Sequence, residues 1–489
     1  MKILIILILL ISPLFAAHII SQNVGIGTST PLEKLHVDGN VLMDTAKLNA
    51  ILFAPNAGTG KILTSDDAGN ANWEDLILPP PTNTSGNLGY GVWGDCATNG
   101  NIGEFLPVSD TTGSPSDFFG CSTSISDNFA IVGSFNDDGD AGINQGSVSV
   151  YQFDGTYWLI TENLVDEDGE AGANFGTSVS ISGNYAVVGA PEDDGDAGVN
   201  QGSVCFYQFD GSSWVLMQKI TDSDGAMSDN FGRSVSISGN YAIIGSLYDD
   251  GPAGVNQGSV SIYQFDGTSW VLMEKIYDPD GEIGDLFGTS VSISGNYFVA
   301  GSPSDSDGSG QHQGSASIYQ FDGSNWFFIQ KITDAAQAQD ADHFGSSVSI
   351  SGNYVCIGAP DDDDTAGQNQ GSVSIYHFNG SDWLLTQKFL DMDGSAEDNF
   401  GTTICISGNY AIIGSIYDDM GAHVNQGTAS IYIRLGNTWQ RLQKVIDPSG
   451  DANDVFGQGV AIDGQSKRFL IGATGYGPSI GKAIFGKIN

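Results

Sequence analysis

The chain has 489 residues, of which 16 are Lys or Arg and 58 are Asp or Glu, so its formal net charge is -42. Binding to nucleic acid or to anionic lipid needs clustered basic side chains, and this balance excludes both as partners. The 67 Gly residues predict many tight turns, and the length is ample for a hydrophobic core without a disulfide scaffold. The sequence contains no CxxC pair and no Cys/His spacing of the kind that binds zinc.

Residues 1–21 have the pattern of a secretory signal peptide. A charged start, Met1-Lys2, precedes an apolar run that ends in small residues, with cleavage expected after Ala17 or Ser21. The run is too short for a membrane span, and no later stretch could cross a bilayer. The sequence therefore predicts a protein without a transmembrane segment that is secreted or held at the cell surface.

Residues 22–78 share nothing with the rest of the chain and predict a small β-rich or extended module. They resemble the leader modules of exported proteins of Bacteroidetes and the stalk-like β segments of phage tail fibres. Tail-fibre stalks are trimeric, so this resemblance implies self-association through residues 22–78. A loosely folded spacer is the alternative. The Pro-rich stretch that follows predicts a stiff linker over residues 79–101.

The remainder of the chain is an array of repeats. The pair Phe-Gly occurs seven times in register, and successive copies are 56 or 57 residues apart. A fixed period of this size indicates a series of similar supersecondary units. The copies begin at Phe119, Phe175, Phe231, Phe287, Phe344, Phe400 and Phe456.

Each unit has the pattern of four short strands. In the second unit, residues 178–182 alternate polar and apolar, residues 185–189 are continuously apolar, and residues 202–209 alternate again. A fourth strand follows over residues 214–220, after the turn residues Asp210-Gly211. Seven such units predict an all-β fold, a seven-bladed β-propeller of four-stranded blades over residues 102–489.

The seventh unit lacks the fourth strand, which carries a Trp in every other unit. Residues 102–108, just before the first unit, occupy the place of that strand in the repeat. We therefore expect an N-terminal strand to complete the last blade, so that the closed ring leaves only short, protected strand edges.

Two short motifs of the repeat resemble the FG-GAP family. Phe-Gly is followed in the same unit by Val188-Gly189-Ala190-Pro191 or, in a later copy, by Ile357-Gly358-Ala359-Pro360. The family includes the β-propeller of integrin α subunits and many secreted bacterial proteins, so the resemblance implies an extracellular role. Integrin-type repeats often carry calcium between their first two strands. Here that connection is only Ser182 to Tyr185, which is too short for such a site.

Two acidic loops recur in the repeat. One joins the second and third strands and ends in Asn-Gln-Gly in five copies, and the other has the pattern Asp-x-Asp-Gly before the next Phe-Gly. In three copies a further Asp follows, and calcium takes such oxygen ligands at flexible spacing. The candidate metal ligands are Asp222, Asp224, Asp229, Asp278, Asp280, Asp285, Asp391, Asp393 and Asp398. The alternative is that these residues only form turns.

A Trp begins the fourth strand in each complete blade, beside a Phe that ends the third strand. This regularity favours packing between neighbouring blades, and the alternative is a stacking platform for sugars. The Trp residues are Trp158, Trp214, Trp270, Trp326, Trp383 and Trp439.

A catalytic group is needed once, so an enzyme would depend on residues that break the repeat. Those residues are His312, His343, His423, Arg233, Arg434 and Arg441, and they are scattered over different units without a Ser/His/Asp grouping. The uniform loops favour a non-catalytic extracellular binding or adhesion protein, with calcium a possible cofactor and a protein or glycan as ligand. The alternative is a secreted enzyme that degrades polysaccharide or protein on a propeller scaffold.

Overall fold

A computed structural model describes residues 102–109, 113–114, 116–195, 198–306, 312–334, 341–363, 367–421, 423–475 and 481–489, with the backbone of four strands nearer the N-terminus. The chain divides into two compact units, Met1–Gly89 and Tyr90–Asn489. In the first unit Val24–Ile26 pairs in parallel with Leu35–Val37, and Lys61–Ser65 pairs antiparallel with Ala71–Asp75. The predicted signal peptide and linker lie outside the described residues.

The second unit is the predicted ring of seven four-stranded antiparallel sheets, called blades 1 to 7 below. The strands of blades 1 to 4, in order, are Thr123–Ser126, Phe129–Ser134, Ser147–Phe153 and Trp158–Leu164; Ser178–Ser182, Tyr185–Ala190, Ser203–Phe209 and Trp214–Thr221; Ser234–Ser238, Tyr241–Ser246, Ser259–Phe265 and Trp270–Ile276; Ser290–Ser294, Tyr297–Ser302, Ser315–Phe321 and Trp326–Ile332. Those of blades 5 to 7 are Ser347–Ser351, Tyr354–Ala359, Ser372–Phe378 and Trp383–Leu390; Phe400–Ser407, Tyr410–Ser415, Thr428–Leu435 and Thr438–Val445; Phe456–Asp463, Arg468–Ala473, Lys482–Ile488 and Ile102–Val108. No helix, and so none that could span a membrane, occurs in the described part of the chain.

The last blade closes as the sequence predicts. Ile102–Val108 pairs antiparallel with Lys482–Ile488, with Val108 opposite Ala483 and Leu106 opposite Phe485. Val108 is buried in a cluster that joins this blade to the first, where the Trp158 ring stacks on Phe485 with centroids 4.6 Å apart. The closing strand is therefore held both by its sheet and by the neighbouring blade.

The first strands of neighbouring blades contact one another around the ring, so they line its inner side. Their Ser-x-Ser-x-Ser pattern has a specific cause in blade 2. Ser178 Oγ donates to the carbonyl of Gly232, while Ser180 Oγ and Ser182 Oγ accept from the backbone N–H groups of Ile237 and Gly239. The hydroxyl groups of blade 2 thus form hydrogen bonds with backbone groups of blade 3. Because the two blades are separate sheets, these backbone groups would otherwise have no partner.

The two glycines of the repeat motif meet where adjacent blades touch. A Cβ atom placed on Gly189 would lie 2.1 Å from the carbonyl oxygen of Gly232 in the next blade. Gly232 itself has a φ of +91°, which side chains other than glycine rarely adopt, and Phe231 before it is fully buried. The Phe-Gly pair of one blade and the Gly near the end of the second strand of the preceding blade, here Gly189, thus form one contact between blades.

The fourth strands form the outer edge, and each of them is irregular. In blades 1 to 6 the register with the third strand shifts by one residue, for example between Phe206 and Tyr207, and in blade 7 it shifts between Lys487 and Ile488. A bulge of this kind increases the local twist and makes an edge strand a poor template for pairing with another chain.

We predict that Gly189→Ala lowers the free energy of unfolding by about 1–3 kcal/mol, because the new methyl group forces the two backbones apart. The matched control is Gly183→Asn, at a φ of +57° with open space around it, where Asn is tolerated. Urea unfolding followed by Trp fluorescence measures both variants. Equal stability of Gly189→Ala and the wild type would contradict the proposed role of the glycine contact.

Candidate functional site

The two acidic loops of the repeat lie on the same side of the ring. We call the connection between the second and third strands the 2–3 loop, the connection from the fourth strand to the next blade the 4–1 loop, and the side that carries both the loop face. Because the four strands alternate in direction, both connections leave from the same end of each blade. Backbone hydrogen bonds join the two loops, as where Ser228 N–H donates to the carbonyl of Val199.

A lysine of the fourth strand joins the two loops at the boundary between blades. In blade 3, Lys275 Nζ lies 2.7 Å from Asp222 and 3.0 Å from Asp224, both in the 4–1 loop, and 2.6 Å from Asp249 in the 2–3 loop. Asp222 and Asp249 are buried. A buried charge must be paired, so this ammonium group and these carboxylates depend on one another.

The same ion-pair cluster recurs around most of the ring. The lysines and their carboxylate partners are Lys219 with Asp166 and Asp193, Lys331 with Asp278, Asp280 and Asp305, Lys388 with Asp334 and Asp362, Lys444 with Asp391, Asp393 and Asp418, and Lys482 with Asp447 and Asp454. Lys482 comes from the third strand of blade 7. Blade 1 differs, because Asn163 stands opposite Ser149 where blade 3 has Lys275 opposite Ser261.

The structure places the nine predicted metal ligands in three of these clusters. Asp222 and Asp224 contact Lys275, whereas Asp229 accepts the backbone N–H of Ala226, and the other two sets repeat this arrangement. The ammonium group stands among the carboxylates to which the sequence assigned calcium. Within the described ranges no group of three or more acidic, His or Cys side chains is arranged to hold a metal ion. As arranged, Asp222 and Asp224 pair with an ammonium group. Calcium at these loops stays a prediction.

Burial dominates the electrostatics of the clusters. Desolvation raises the pKa of Asp222 to about 6, that of Asp278 to about 7 and that of Asp285 to about 6. The pKa values of Asp229 and Asp398 rise to about 6 for the same reason. At these carboxyl groups the effect of burial on the pKa therefore exceeds the opposite effect of the neighbouring lysine.

The repeated Trp residues are part of the core. Trp270 is buried, and its ring stacks on Phe206 of the preceding blade with centroids 4.6 Å apart. Trp214 packs against Phe129 of the preceding blade in a T-shaped contact, with centroids 5.2 Å apart. This is the packing between blades that the sequence favours, and it leaves these rings no free face for a sugar.

Sequence reasoning missed a cavity at the inner mouth, which we define as the loop-face ends of the first strands around each Phe-Gly pair. The cavity has a volume of about 420 Å³, and Arg233, Asn230 and Tyr248 of blade 3 line it together with residues of blades 1, 2 and 7. Arg233 and His343 each flank a Phe-Gly pair, but they lie in different units and on opposite sides of the pair, so they stay scattered as the sequence indicates. The signal was available, because the residues on either side of Phe-Gly vary among copies while the pair does not.

A second singular group at the inner mouth is a hydrogen-bonded pair. His343 Nδ1 lies 2.6 Å from Asp361 Oδ2, and this contact raises the pKa of His343. Asn399 Nδ2 donates to the other carboxylate oxygen of Asp361. Ser346, three residues on, donates its hydroxyl to the His343 carbonyl and not to the ring, so these residues do not form a nucleophile–base pair.

We predict that the folded state becomes more stable as the pH falls from 8 to about 5. Carboxyl groups with a pKa raised above the unfolded value bind protons preferentially in the folded state, so their contribution is lost as the pH rises through about 6 to 7. Urea midpoints at constant ionic strength test this. Asp229→Asn should flatten the dependence, and a midpoint that falls between pH 8 and pH 5 would contradict the assignment.

We predict that Lys275→Met lowers the free energy of unfolding by about 3–5 kcal/mol, because it leaves buried carboxylates without their cation. Lys487→Met, at an exposed lysine outside the clusters, is the control and should change stability by less than about 0.5 kcal/mol.

For the wild type, thermal unfolding with millimolar calcium and with chelator should give the same midpoint. A rise of many degrees with calcium would show that the metal displaces the ammonium groups.

Comparison with known families agrees with this geometry. The FG-GAP repeat matches the chain over residues 109–151, 158–207, 214–263, 270–319, 326–376 and 383–432, each of which spans parts of one blade or of two in succession. None of the curated proteins compared matches the chain. Because the repeat covers more than half of the sequence and the ring has seven blades, the chain belongs to the FG-GAP repeat family.

Proposed function

We propose that the protein is a non-catalytic binding or adhesion protein that is secreted or held at the cell surface, and that its loop face contacts an extracellular protein or glycan. The observation that carries this proposal is a series of exposed apolar side chains on the loop face. In the 2–3 loops Ile143 is 70% exposed and Val255 56%, and in the 4–1 loops Ile283 is 69% exposed and Met392 92%. Val199, Val424 and Met227 continue the series.

These side chains do not stabilise the ring, because most of their surface faces solvent. Their loops are nevertheless held in place, since Gln257 Nε2 of a 2–3 loop donates to the carbonyl of Asp278 in the adjoining 4–1 loop. A rigid loop loses little entropy on binding. Similar contacts repeated from blade to blade sum to a useful affinity even if each is weak. The exposed carboxylates between them favour a partner with basic groups.

The alternative, an enzyme that degrades polysaccharide or protein, has one observation in its favour. The His343–Asp361 pair has the hydrogen bond of an oriented general base. In the described residues, however, no hydroxyl or thiol side chain donates to the His343 ring. We therefore favour binding over hydrolysis.

The test uses beads that carry the purified protein and surfaces coated with collagen, fibronectin, cellulose or chitin. We expect adhesion to at least one surface, and we expect Val199→Ser, Met227→Ser, Val255→Ser and Ile283→Ser together to weaken it about tenfold or more, which corresponds to about 1.4 kcal/mol. The matched control replaces four exposed apolar residues of the outer strands, Val215, Leu216, Val271 and Leu272, by Ser.

Equal losses in the two variants would contradict a role of the loop face. Release of soluble sugars or peptides from a coated surface would support the enzyme instead. Adhesion to none of the surfaces, together with such release, would overturn the proposal.

A further inference from the structure

Cations are scarce in this chain, and the fold engages most of those in the ring. Six lysines and Arg441 contact buried aspartates. Arg434 lies over the Tyr354 ring at 4.5 Å, and Arg468 lies over the Phe153 ring at 3.7 Å. Arg233 is an exception, because its side chain is exposed and makes no ion pair or hydrogen bond with the described residues.

Arg233 is also an exception within the repeat. It directly follows Phe231-Gly232, a position that small or uncharged residues fill in the other blades: Cys121, Thr177, Thr289, Ser346, Thr402 and Gln458. Where this residue is Thr, as at Thr177, its hydroxyl donates to the carbonyl three residues before, that of Asn174. The fold does not need a cation here, so the reason for an arginine lies in what it faces.

What Arg233 faces is the cavity at the inner mouth. Its volume, about 420 Å³, is in the range of small-ligand sites, roughly 300–1,000 Å³. The side chains of Asn174, Asn230, Gln458, Glu192 and Tyr248 lie in the same wall. These are amides, a carboxylate and a phenol, which donate to and accept from hydroxyl groups. Tyr248, which is 40% exposed, also offers an aromatic face.

We propose that this cavity binds a sugar that carries a carboxylate, such as the hexuronate unit of an extracellular polysaccharide. The guanidinium group of Arg233 pairs with the carboxylate through two parallel hydrogen bonds, as arginine does at planar anions. The amides and Glu192 take the ring hydroxyls, and Tyr248 packs against the C–H face of the sugar. The site rests on the proposed binding role, but it is separate from the apolar side chains of the loop face.

The net charge of -42 opposes this ligand at long range but does not prevent its binding. At physiological ionic strength the screening length is about 8 Å, so a bound carboxylate interacts mainly with the groups of the cavity itself. Among the cavity's lining residues, Arg233 is the basic one and Glu192 the acidic one. Affinity for a charged sugar should therefore depend on Arg233 more than on the charge of the whole ring.

The experiment is calorimetric titration of the full chain with a galacturonate trimer and a glucuronate disaccharide, and with their methyl esters, at about 0.15 M salt. Each ester keeps the hydroxyl groups and loses the charge. We expect the wild type to bind at least one acid about tenfold or more tightly than its ester, as a charge-assisted hydrogen bond implies. Arg233→Thr, which introduces the residue that blades 2, 4 and 6 already have, should abolish that preference.

Lys487→Thr, which removes an equal charge elsewhere, is the control and should bind as the wild type does. Failure of the wild type to bind either acid, equal affinity for acid and ester, or an unchanged preference in Arg233→Thr would each overturn the proposal. The loop-face variant, in which Val199, Met227, Val255 and Ile283 are Ser, should bind the acid normally. Loss of adhesion in that variant with intact acid binding would separate the two sites.

Discussion

The close approach of two glycine backbones at each blade boundary sets the geometry on which the rest of the ring depends. Gly189 of one blade and Gly232 of the next touch without side chains between them. At this separation the hydroxyl of Ser178 reaches the carbonyl of Gly232, and Trp270 reaches Phe206. It also brings the ammonium group of Lys275 within reach of aspartates from two loops. Each of these contacts would fail if the blades stood further apart.

The architecture could be predicted from the sequence because it is encoded locally and repeated. The alternation in residues 178–182 and the apolar run that follows give strand bounds within about one residue of those observed. The closing strand, Ile102–Val108, could be predicted because the last unit lacks one strand and a matching segment stands before the first unit. Both inferences use the order of elements along the chain and need no knowledge of distances.

The lysine clusters and the cavity could not be predicted in the same way. Lys275 and Asp222 are 53 residues apart, and each recurs at a fixed place in its own unit, so the repeat shows that both matter but not that they meet. The Asp residues alone therefore predicted a metal site. The cavity at the inner mouth is lined by residues of blades 7, 1, 2 and 3, and its chemical character comes from residues that differ between copies. A repeat pattern describes what the copies share and gives no information about how they differ.

Closure by the N-terminal strand also has a mechanical consequence. Tension that enters the ring through residue 102, directed along the strand, loads the hydrogen bonds between Ile102–Val108 and Lys482–Ile488 together rather than one after another. Shear of this kind resists force better than peeling, and resistance to forced unfolding is governed by the barrier to unfolding. A protein that holds a ligand while it is pulled by its N-terminal side would therefore keep its ring closed up to the load that this one strand can bear.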